Sequence, residues 1–189
     1  MVDYEAVVIG VSAGGFAALT KLMQLIPVDF SLAMAIVQHR NDDHDNYLCQ
    51  HLDKHCKIPV SEATFNGQVL PGHIYLAPAS YHLLIETERL FSLSVEPAVC
   101  FSIPSIDVLF ESAADAYAET LIGIVLTGAN DDGSLGLKKI RARGGLAIVE
   151  DPRSAEVSTM PQSAIDIAGA DHILPLPEIA GFLAGIAHG

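Results

Sequence analysis

The sequence predicts a three-layer α/β fold, in which helices cover both faces of a doubly wound, mainly parallel sheet. Short apolar runs suited to buried parallel strands recur at residues 6–9, 33–37, 121–126 and 146–149. Each run is followed by a turn and a stretch of helical periodicity. Residues 59–95 instead carry Gly and Pro turns with alternating apolar positions, and this segment predicts an antiparallel hairpin added to the parallel sheet.

Helical periodicity accounts for most of the chain between these runs. Pro161 suits the first turn of one helix, and Gly144 with Gly145 follows the end of another. The predicted helices lie at residues 16–26, 47–55, 106–119, 134–143, 161–168 and 177–186. Because no repeat, low-complexity tract or linker interrupts the pattern, residues 1–189 are expected to form a single domain.

Composition narrows the classes of partner. Half of the 189 residues are apolar and 17% are charged, which favours a compact globule with a substantial core. Ten basic residues stand against 23 acidic ones, for a net charge of −13, and this balance argues against nucleic acid as a partner. No apolar run is long enough to insert in a membrane, and the start of the chain lacks the basic segment of a signal peptide. A cytoplasmic location is therefore expected.

Histidines and cysteines around residues 44–56 resemble a metal site at first sight. His51 and His55 are one helical turn apart, with His44 nearby. However, Cys49 and Cys56 fit an amphipathic helix, and no second group of ligands follows at a zinc spacing. We therefore expect no metal and no cofactor, and we expect the odd number of cysteines, which includes Cys100, to stay reduced.

Ser12 occupies the most informative position in the chain. It follows the first predicted strand within Gly10-Val11-Ser12-Ala13-Gly14-Gly15, and a helix begins directly afterwards. On such a strand-to-helix turn a serine hydroxyl can stand clear of the sheet, while the first amides of the helix can receive an oxyanion. This pattern is typical of a hydrolase nucleophile. The alternative is that Ser12 only caps the helix.

A base and an acid are predicted at the same edge of the sheet. His39 directly follows the second strand, and Asp131 with Asp132 follows the strand at 121–126. Because the carboxyl ends of parallel strands meet at one edge, these residues are expected to approach Ser12 as a Ser-His-Asp triad. The alternatives are an ordinary loop histidine and a helix-capping carboxylate, a role that one of the two acids is expected to have.

The sequence around Ser12 does not match the nucleotide-binding motifs or the triad order of the α/β-hydrolases. Serine at position 12 breaks the G-x-G-x-x-G spacing of dinucleotide-binding folds, and no P-loop lysine follows. The α/β-hydrolases share the serine turn but place their histidine last in the chain, which would require His172 or His188. His172 precedes a strand-like segment and so lies at the wrong end for this site.

Several separate blocks of sequence resemble the catalytic domain of the chemotaxis protein-glutamate methylesterases, the CheB type. The likeness extends over nearly the whole chain. The blocks are Ile9-Gly10-Val11-Ser12-Ala13-Gly14-Gly15, Gln38-His39, Val69-Leu70-Pro71-Gly72, Tyr75-Leu76-Ala77-Pro78, Pro104-Ser105-Ile106-Asp107-Val108-Leu109-Phe110, Leu126-Thr127-Gly128, Asp132-Gly133, Met160-Pro161 and Ile173-Leu174-Pro175-Leu176.

The resemblance implies a function as well as a fold. It implies Ser12 as nucleophile, His39 as base and Asp132 as the orienting acid, with Ala13, Ala129 and Met160 near the oxyanion or the substrate. The implied reaction is hydrolysis of γ-glutamyl methyl esters on methyl-accepting chemotaxis receptors, with release of methanol. Deamidation of receptor glutamines is the implied second activity.

The chain departs from the family pattern at three places. Ser102-Ile103 stands where a His-Arg pair is usual, Ala129-Asn130 replaces the Met-Gly of Gly-Met-Gly, and Ala13 replaces a common threonine. No receiver domain precedes the first strand, so either a separate receiver protein acts as regulator or the chain is a fragment. Two other functions stay open, a non-catalytic receptor-binding module and a serine hydrolase for small esters outside chemotaxis.

Overall fold

A computed structural model of the chain describes residues 2–39 and 46–186. Strands and helices alternate along most of it. The strands are β1 (Ala6–Val11), β2 (Ala33–Gln38), β3 (Val60–Glu62), β4 (Ile74–Leu76), β5 (His82–Ile85), β6 (Phe91–Ser94), β7 (Leu121–Val125), β8 (Leu146–Glu150) and β9 (His172–Leu174). The helices are α1 (Gly15–Leu25), α2 (Tyr47–His55), α3 (Ile106–Tyr117), α4 (Ser134–Ala142), α5 (Thr159–Ala168) and α6 (Leu176–Ile186), and a 3₁₀ turn (Ala118–Thr120) follows α3.

Seven strands form one parallel sheet in the order β3-β4-β2-β1-β7-β8-β9. The strands β2, β3 and β4 lie on one side of β1, and the chain then returns to the other side of β1 to add β7, β8 and β9. This reversal opens a crevice beyond the carboxyl ends of β1 and β7, which is where sheets of this type bind ligands. The predicted doubly wound fold is confirmed.

Alternate residues of the central strands face opposite layers of helices. On β1, Val7 and Ile9 pack into a core shared with α1, α2 and α6, whereas Ala6 and Val8 pack into a core shared with α3, α4 and α5. Because both faces of the strand are buried, the strand is apolar at every position. The two cores hold the sheet between two helical layers, as predicted.

The antiparallel hairpin predicted within residues 59–95 is confirmed as β5 and β6, which form a two-stranded sheet of their own beside the parallel one. A hydrogen bond of 3.1 Å from the Ile85 amide to Ser112 Oγ links the hairpin to α3. The same segment also supplies β3 and β4, which are parallel strands of only three residues each. Strands this short leave too few positions for an alternating pattern to be recognised.

Element boundaries shift by only a few residues. Helix α5 begins at Thr159, two residues before its predicted start, and α3 ends at Tyr117, two residues before its predicted end. The Ser105 hydroxyl caps α3 by accepting a hydrogen bond from the Val108 amide. Within residues 2–39 and 46–186, no helix has the length and apolar character needed to cross a membrane.

The histidine and cysteine segment lies mostly on α2. Cys49 is buried in the core beside Leu48 and Leu52, which matches the amphipathic helix predicted there. The rings of His51 and His55 lie 4.3 Å apart, and the His51 ring also packs against Phe16 at 4.7 Å. All three cysteines are thiols. His44 and His188, two histidines considered in the sequence analysis, lie outside the described residues.

Candidate active site

The turn that carries Ser12 is held by backbone hydrogen bonds on both sides. The Ser12 amide donates to the Thr127 carbonyl at 2.9 Å, and the Ser12 carbonyl accepts from the Gly15 amide at 2.9 Å. Gly14 has a φ of +80° immediately before α1, a conformation that favours glycine. The turn therefore places a half-buried serine between β1 and the loop that follows β7.

His39 and Asp132 are joined by a hydrogen bond where the sequence predicts base and acid. The distance from His39 Nε2 to Asp132 Oδ2 is 2.7 Å, and both side chains are nearly or fully buried. A carboxylate can only accept hydrogen bonds, so Nε2 carries the proton and Nδ1 is left with a lone pair. The imidazole thus has the tautomer that a general base requires. Asp131, by contrast, is exposed, and this difference assigns the pairing to Asp132.

The Asp132 carboxylate accepts four hydrogen bonds, two on each oxygen. Oδ1 accepts from Ser105 Oγ at 2.9 Å and from the Asp107 amide at 3.0 Å. Oδ2 accepts from the Ile106 amide at 2.7 Å and from His39. Burial raises the pKa of Asp132, but the bonds from His39 and the two amides outweigh burial and bring this pKa below its ordinary value. The Asp132 carboxylate is therefore ionised, and the first residues of α3 hold it in place.

The Cys100 thiol also lies near the Asp132 carboxylate. Its sulfur lies within 4.8 Å of carboxylate oxygens of Asp107 and Asp132. Burial, together with these negative charges, raises the pKa of the Cys100 thiol to about 11. The thiol therefore stays protonated and is a poor competitor of Ser12 as a nucleophile. Four protein donors already occupy the oxygens of Asp132. The Cys100 thiol and the carboxylates of Asp107 and Asp132 therefore make a poor metal site.

The lone-pair nitrogen of His39 faces two polar side chains. Nδ1 lies 3.4 Å from Ser102 Oγ and 3.5 Å from Asn130 Nδ2. Among the residues that the structure describes, Ser12 Oγ makes no hydrogen bond to His39. Backbone contacts nevertheless bring the two segments together, since the His39 amide donates to the Val11 carbonyl at 3.0 Å. The expected proton transfer from Ser12 to His39 would therefore take place between the carboxyl ends of β1 and β2, which are adjacent strands.

Gln38 joins the serine turn to the histidine, a role that the sequence did not predict. Its side-chain Nε2 donates to the Ser12 carbonyl at 2.9 Å and to the His39 carbonyl at 2.8 Å. One amide group therefore sets the spacing of both backbone segments. Its Oε1 is buried without a hydrogen-bond partner within the described part of the chain. The sequence signals at this residue were its position at the end of the second strand and its place in the Gln38-His39 block.

Thr127 and Glu150 brace the loop after β7. The Thr127 hydroxyl donates to the Ala13 carbonyl at 2.8 Å and accepts from the Val157 amide at 2.9 Å. The Thr127 amide donates to Glu150 Oε2 at 2.9 Å. Burial raises the pKa of Glu150, while the Thr127 amide and the charge of Lys21 act in the opposite direction. This buried carboxylate was also missed, because its partner is a backbone group of a distant segment.

Of the three residues predicted near the oxyanion or the substrate, two are exposed and one is buried. Ala13 and Ala129 are exposed beside the Ser12 turn and on the β7 loop. Met160 is fully buried, and its amide donates to the Gly128 carbonyl at 2.9 Å. A side chain at Gly128 would collide with both Ser12 and Met160. Met160 therefore lies behind the loop, where it supports Gly128, while the two alanines line the open side.

Comparison with known proteins places this geometry in a family. Residues 7–183 match the family model described as CheB methylesterase. A relative from Leptospira interrogans is 48% identical over 178 residues, which cover 94% of this chain and 92% of that protein. A Geobacter metallireducens protein named protein-glutamate methylesterase/protein-glutamine glutaminase 1 is 37% identical, over 96% of this chain and 50% of its own length.

A solved structure shares the fold over nearly its full extent. The crystal structure of the Thermotoga maritima CheB methylesterase catalytic domain matches with a TM-score of 0.93 and 31% sequence identity. The match covers 98% of this chain and 100% of that one. The fold, the order of the sequence blocks and the family model agree, and the chain belongs to the CheB methylesterase family.

Proposed function

We propose that the protein is a protein-glutamate methylesterase in which Ser12 is the nucleophile, His39 the general base and Asp132 the orienting acid. One observation carries this assignment. His39 Nε2 donates to the buried Asp132 carboxylate at 2.7 Å, which leaves Nδ1 as an acceptor at the strand end beside the serine turn. A neutral imidazole held in this way is the usual partner of a serine nucleophile.

In the acylation half of the reaction, Ser12 Oγ attacks the carbonyl carbon of a γ-glutamyl methyl ester and its proton passes to His39 Nδ1. The developing oxyanion is stabilised by amides near Ala13 and Ala129. The bond from carbon to the methoxy oxygen then breaks. The oxygen leaves with the electron pair, takes the proton from Nδ1 and departs as methanol. Asp132 stays ionised throughout and stabilises the imidazolium.

In the second half, water attacks the acyl-enzyme. Nδ1 accepts one proton of the water as its oxygen bonds to the acyl carbon, and this proton then returns to Ser12 Oγ as the ester bond to the enzyme breaks. The products are a glutamate side chain and the free serine. A glutamine side chain would follow the same course with ammonia as the leaving group, in line with the double name of the Geobacter relative.

The proposed substrate is a methylated chemoreceptor, a methyl-accepting protein of the signal-transduction pathway for chemotaxis. The family membership and the name of a Myxococcus xanthus relative, protein-glutamate methylesterase FrzG, support a glutamate ester as the substrate group. A cytoplasmic location and regulation by a separate receiver-domain protein belong to the same proposal. A non-catalytic receptor-binding module, by comparison, would have no need for a buried, ionised carboxylate paired with histidine.

Labelling with a fluorophosphonate probe tests the nucleophile. Wild type is expected to be labelled on Ser12, and Ser12→Ala and His39→Ala are expected to lose labelling. Ser31→Ala is the matched control, since Ser31 is exposed just before β2, at the opposite edge of the sheet. Undiminished labelling of Ser12→Ala would refute the assignment.

Methanol release from methylated receptor membranes then identifies the substrate. Ser12→Ala is expected to lower the rate by about 10⁴-fold or more. Faster turnover of a simple soluble methyl ester than of the receptor, under matched conditions, would favour a small-ester hydrolase instead.

A further inference from the structure

Ser102 and Asn130 both approach His39 Nδ1, the nitrogen through which protons pass in the proposed reaction. Ser102 Oγ is 3.4 Å and Asn130 Nδ2 is 3.5 Å from His39 Nδ1. The two side chains come from different loops, one before α3 and one after β7.

Asn130 is held so that its amino group faces the imidazole. Its Oδ1 accepts a hydrogen bond from the Asp132 amide at 3.3 Å, in a short turn closed by its own side chain. With the oxygen engaged on one side, the NH₂ group points toward Nδ1 on the other. An NH₂ group can donate hydrogen bonds but cannot accept them. Asn130 therefore presents a donor, and only a donor, at this point.

Ser102 reaches the imidazole from a tight turn. Its amide and carbonyl exchange hydrogen bonds with Val99 at 2.9 and 3.2 Å, and the two residues between them, Cys100 and Phe101, have φ values of +48° and +63°. Non-glycine residues rarely adopt this conformation, and it persists where the surrounding structure imposes it. The turn holds a hydroxyl, which can both donate and accept, near Nδ1.

A group beside Nδ1 also lies beside the atoms that exchange protons with Nδ1. Besides Ser12 Oγ, the atom that exchanges a proton with Nδ1 is the departing oxygen of the methyl ester in acylation and the oxygen of the attacking water in deacylation. The departing oxygen has two lone pairs, one of which takes the proton from Nδ1. The other is free to accept a hydrogen bond from a donor. The attacking water gives one proton to Nδ1, and its second O–H needs an acceptor.

We propose that Ser102 and Asn130 form the leaving-group and water site of the enzyme, and that Asn130 selects esters over amides. Asn130 Nδ2 donates to the second lone pair of the departing methoxy oxygen, and Ser102 Oγ accepts from the second O–H of the hydrolytic water. These roles rest on the function proposed above and add two residues that contact the reacting atoms.

The preference for esters follows from the number of lone pairs on the leaving atom, since Asn130 can only donate to it. When glutamine is the substrate, the departing nitrogen uses its single lone pair to take the proton from Nδ1. Its remaining hydrogens are donors, and they meet the donating NH₂ group of Asn130. Asn130 therefore assists departure of methanol and opposes departure of ammonia.

Replacement of Asn130 by alanine tests the selectivity. Receptor membranes are prepared with either γ-methyl glutamate or glutamine at the same position, and methanol and ammonia release are measured separately. Asn130→Ala is expected to lower the ratio of methanol release to ammonia release by about tenfold, as for the loss of one hydrogen bond made to the ester alone. An equal loss for both substrates would mean that Asn130 only supports the Asp132 loop, and would overturn this part of the inference.

Replacement of Ser102 by alanine tests the water site. If Ser102 orients the hydrolytic water, Ser102→Ala slows deacylation by about tenfold, and a burst of methanol precedes the slower steady state. Ser102→Thr keeps a hydroxyl and is expected to recover most of the steady-state rate. A Ser102→Ala variant that shows no burst and the wild-type steady-state rate would overturn this role.

Fluorophosphonate labelling of Ser12, run in parallel, separates failure of the leaving-group site from failure of the proposed function. If Ser12 is not labelled in wild type, the proposed function itself fails. The other outcome is that Ser12 is labelled in both variants while the ratio of methanol to ammonia release and the methanol burst stay as in wild type. In that case only the leaving-group and water site fails.

Discussion

At the scale of single residues, Gln38 controls the spacing between Ser12 and His39, the proposed nucleophile and base. Its one amide nitrogen holds the carbonyls of Ser12 and His39 together. Gln38→Leu has similar size but leaves both carbonyls without this donor, so the unfolding free energy is expected to fall by about 1–3 kcal/mol. The release rate of methanol is expected to fall by about tenfold or more, because the proton path lengthens. Urea unfolding and receptor turnover measure the two effects, and full activity of Gln38→Leu would contradict the role.

Glu150 gives the stability a specific pH dependence. Burial raises the pKa of its carboxyl group above the ordinary value for glutamate. A carboxyl group with a raised pKa in the folded state stabilises that state while protonated. This contribution is complete below the unfolded pKa and is lost as pH rises through the folded pKa.

Glu150→Gln is expected to keep the hydrogen bond from the Thr127 amide through its side-chain carbonyl while removing the cost of ionisation. Relative to wild type, the variant should gain stability as pH rises from the ordinary pKa of a glutamate through the raised pKa of Glu150. Urea unfolding at each pH measures the difference, and Glu150→Ala, which loses the acceptor, serves as the comparison. A difference between wild type and the Glu150→Gln variant that does not change with pH would argue against the buried, ionising carboxylate.

Position after a strand was enough to predict Ser12, His39 and the Asp131-Asp132 pair, because parallel strand ends share one edge of the sheet. The choice between the two acids was implied only by family resemblance, and burial now distinguishes them. Gln38 and Glu150 could not be assigned, because their partners are backbone atoms of segments far away in the sequence. A pattern of side chains does not reveal which distant amide or carbonyl a polar group will meet.

At the scale of elements, the turn from β1 into α1 depends on Gly14. Its φ of +80° disfavours any other residue, and an added Cβ would lie 2.9 Å from Glu156 Cβ. Gly14→Ala is therefore expected to destabilise the protein by about 1–3 kcal/mol and to displace Ser12. Thermal unfolding and fluorophosphonate labelling measure the two effects.

Gly181→Ala is the matched control for that substitution. Gly181 lies within α6, and an added Cβ there meets nothing within 4 Å in the described residues. Alanine is the better helix former, so a gain of about 0.5–1 kcal/mol is expected at this position. Loss of stability in both variants would show that the turn at Gly14 has no special requirement.

Element length decided which strands could be predicted. The long apolar runs of β1, β2, β7 and β8 are visible in the sequence because both of their faces are buried. Strands β3 and β4 are three residues long and owe their place in the sheet to pairing with neighbours. That pairing is a tertiary interaction, and no local pattern of residues encodes it.

At the scale of the whole molecule, the net charge of −13 affects the approach of substrates. A negative protein attracts cationic molecules and repels anionic ones, and salt screens both effects. For two small methyl esters that differ only in a quaternary ammonium or a carboxylate group, kcat/KM is expected to be higher for the cation at low salt. Added salt should lower kcat/KM for the cationic ester and raise it for the anionic one. Identical salt responses would show that the charge near the crevice differs from the charge of the whole.

The distribution of the site along the chain affects synthesis. The Ser12 alcohol and the His39 imidazole directly follow the first two strands, whereas the carboxylate bonded to that imidazole follows β7, 93 positions after it. A nascent polypeptide emerging from the ribosome would therefore carry two of the three groups of the proposed triad long before the third is made. By the proposed mechanism, hydrolysis has to wait until the second half of the sheet has been translated and has closed against the first, so topology alone protects incomplete chains from premature reaction.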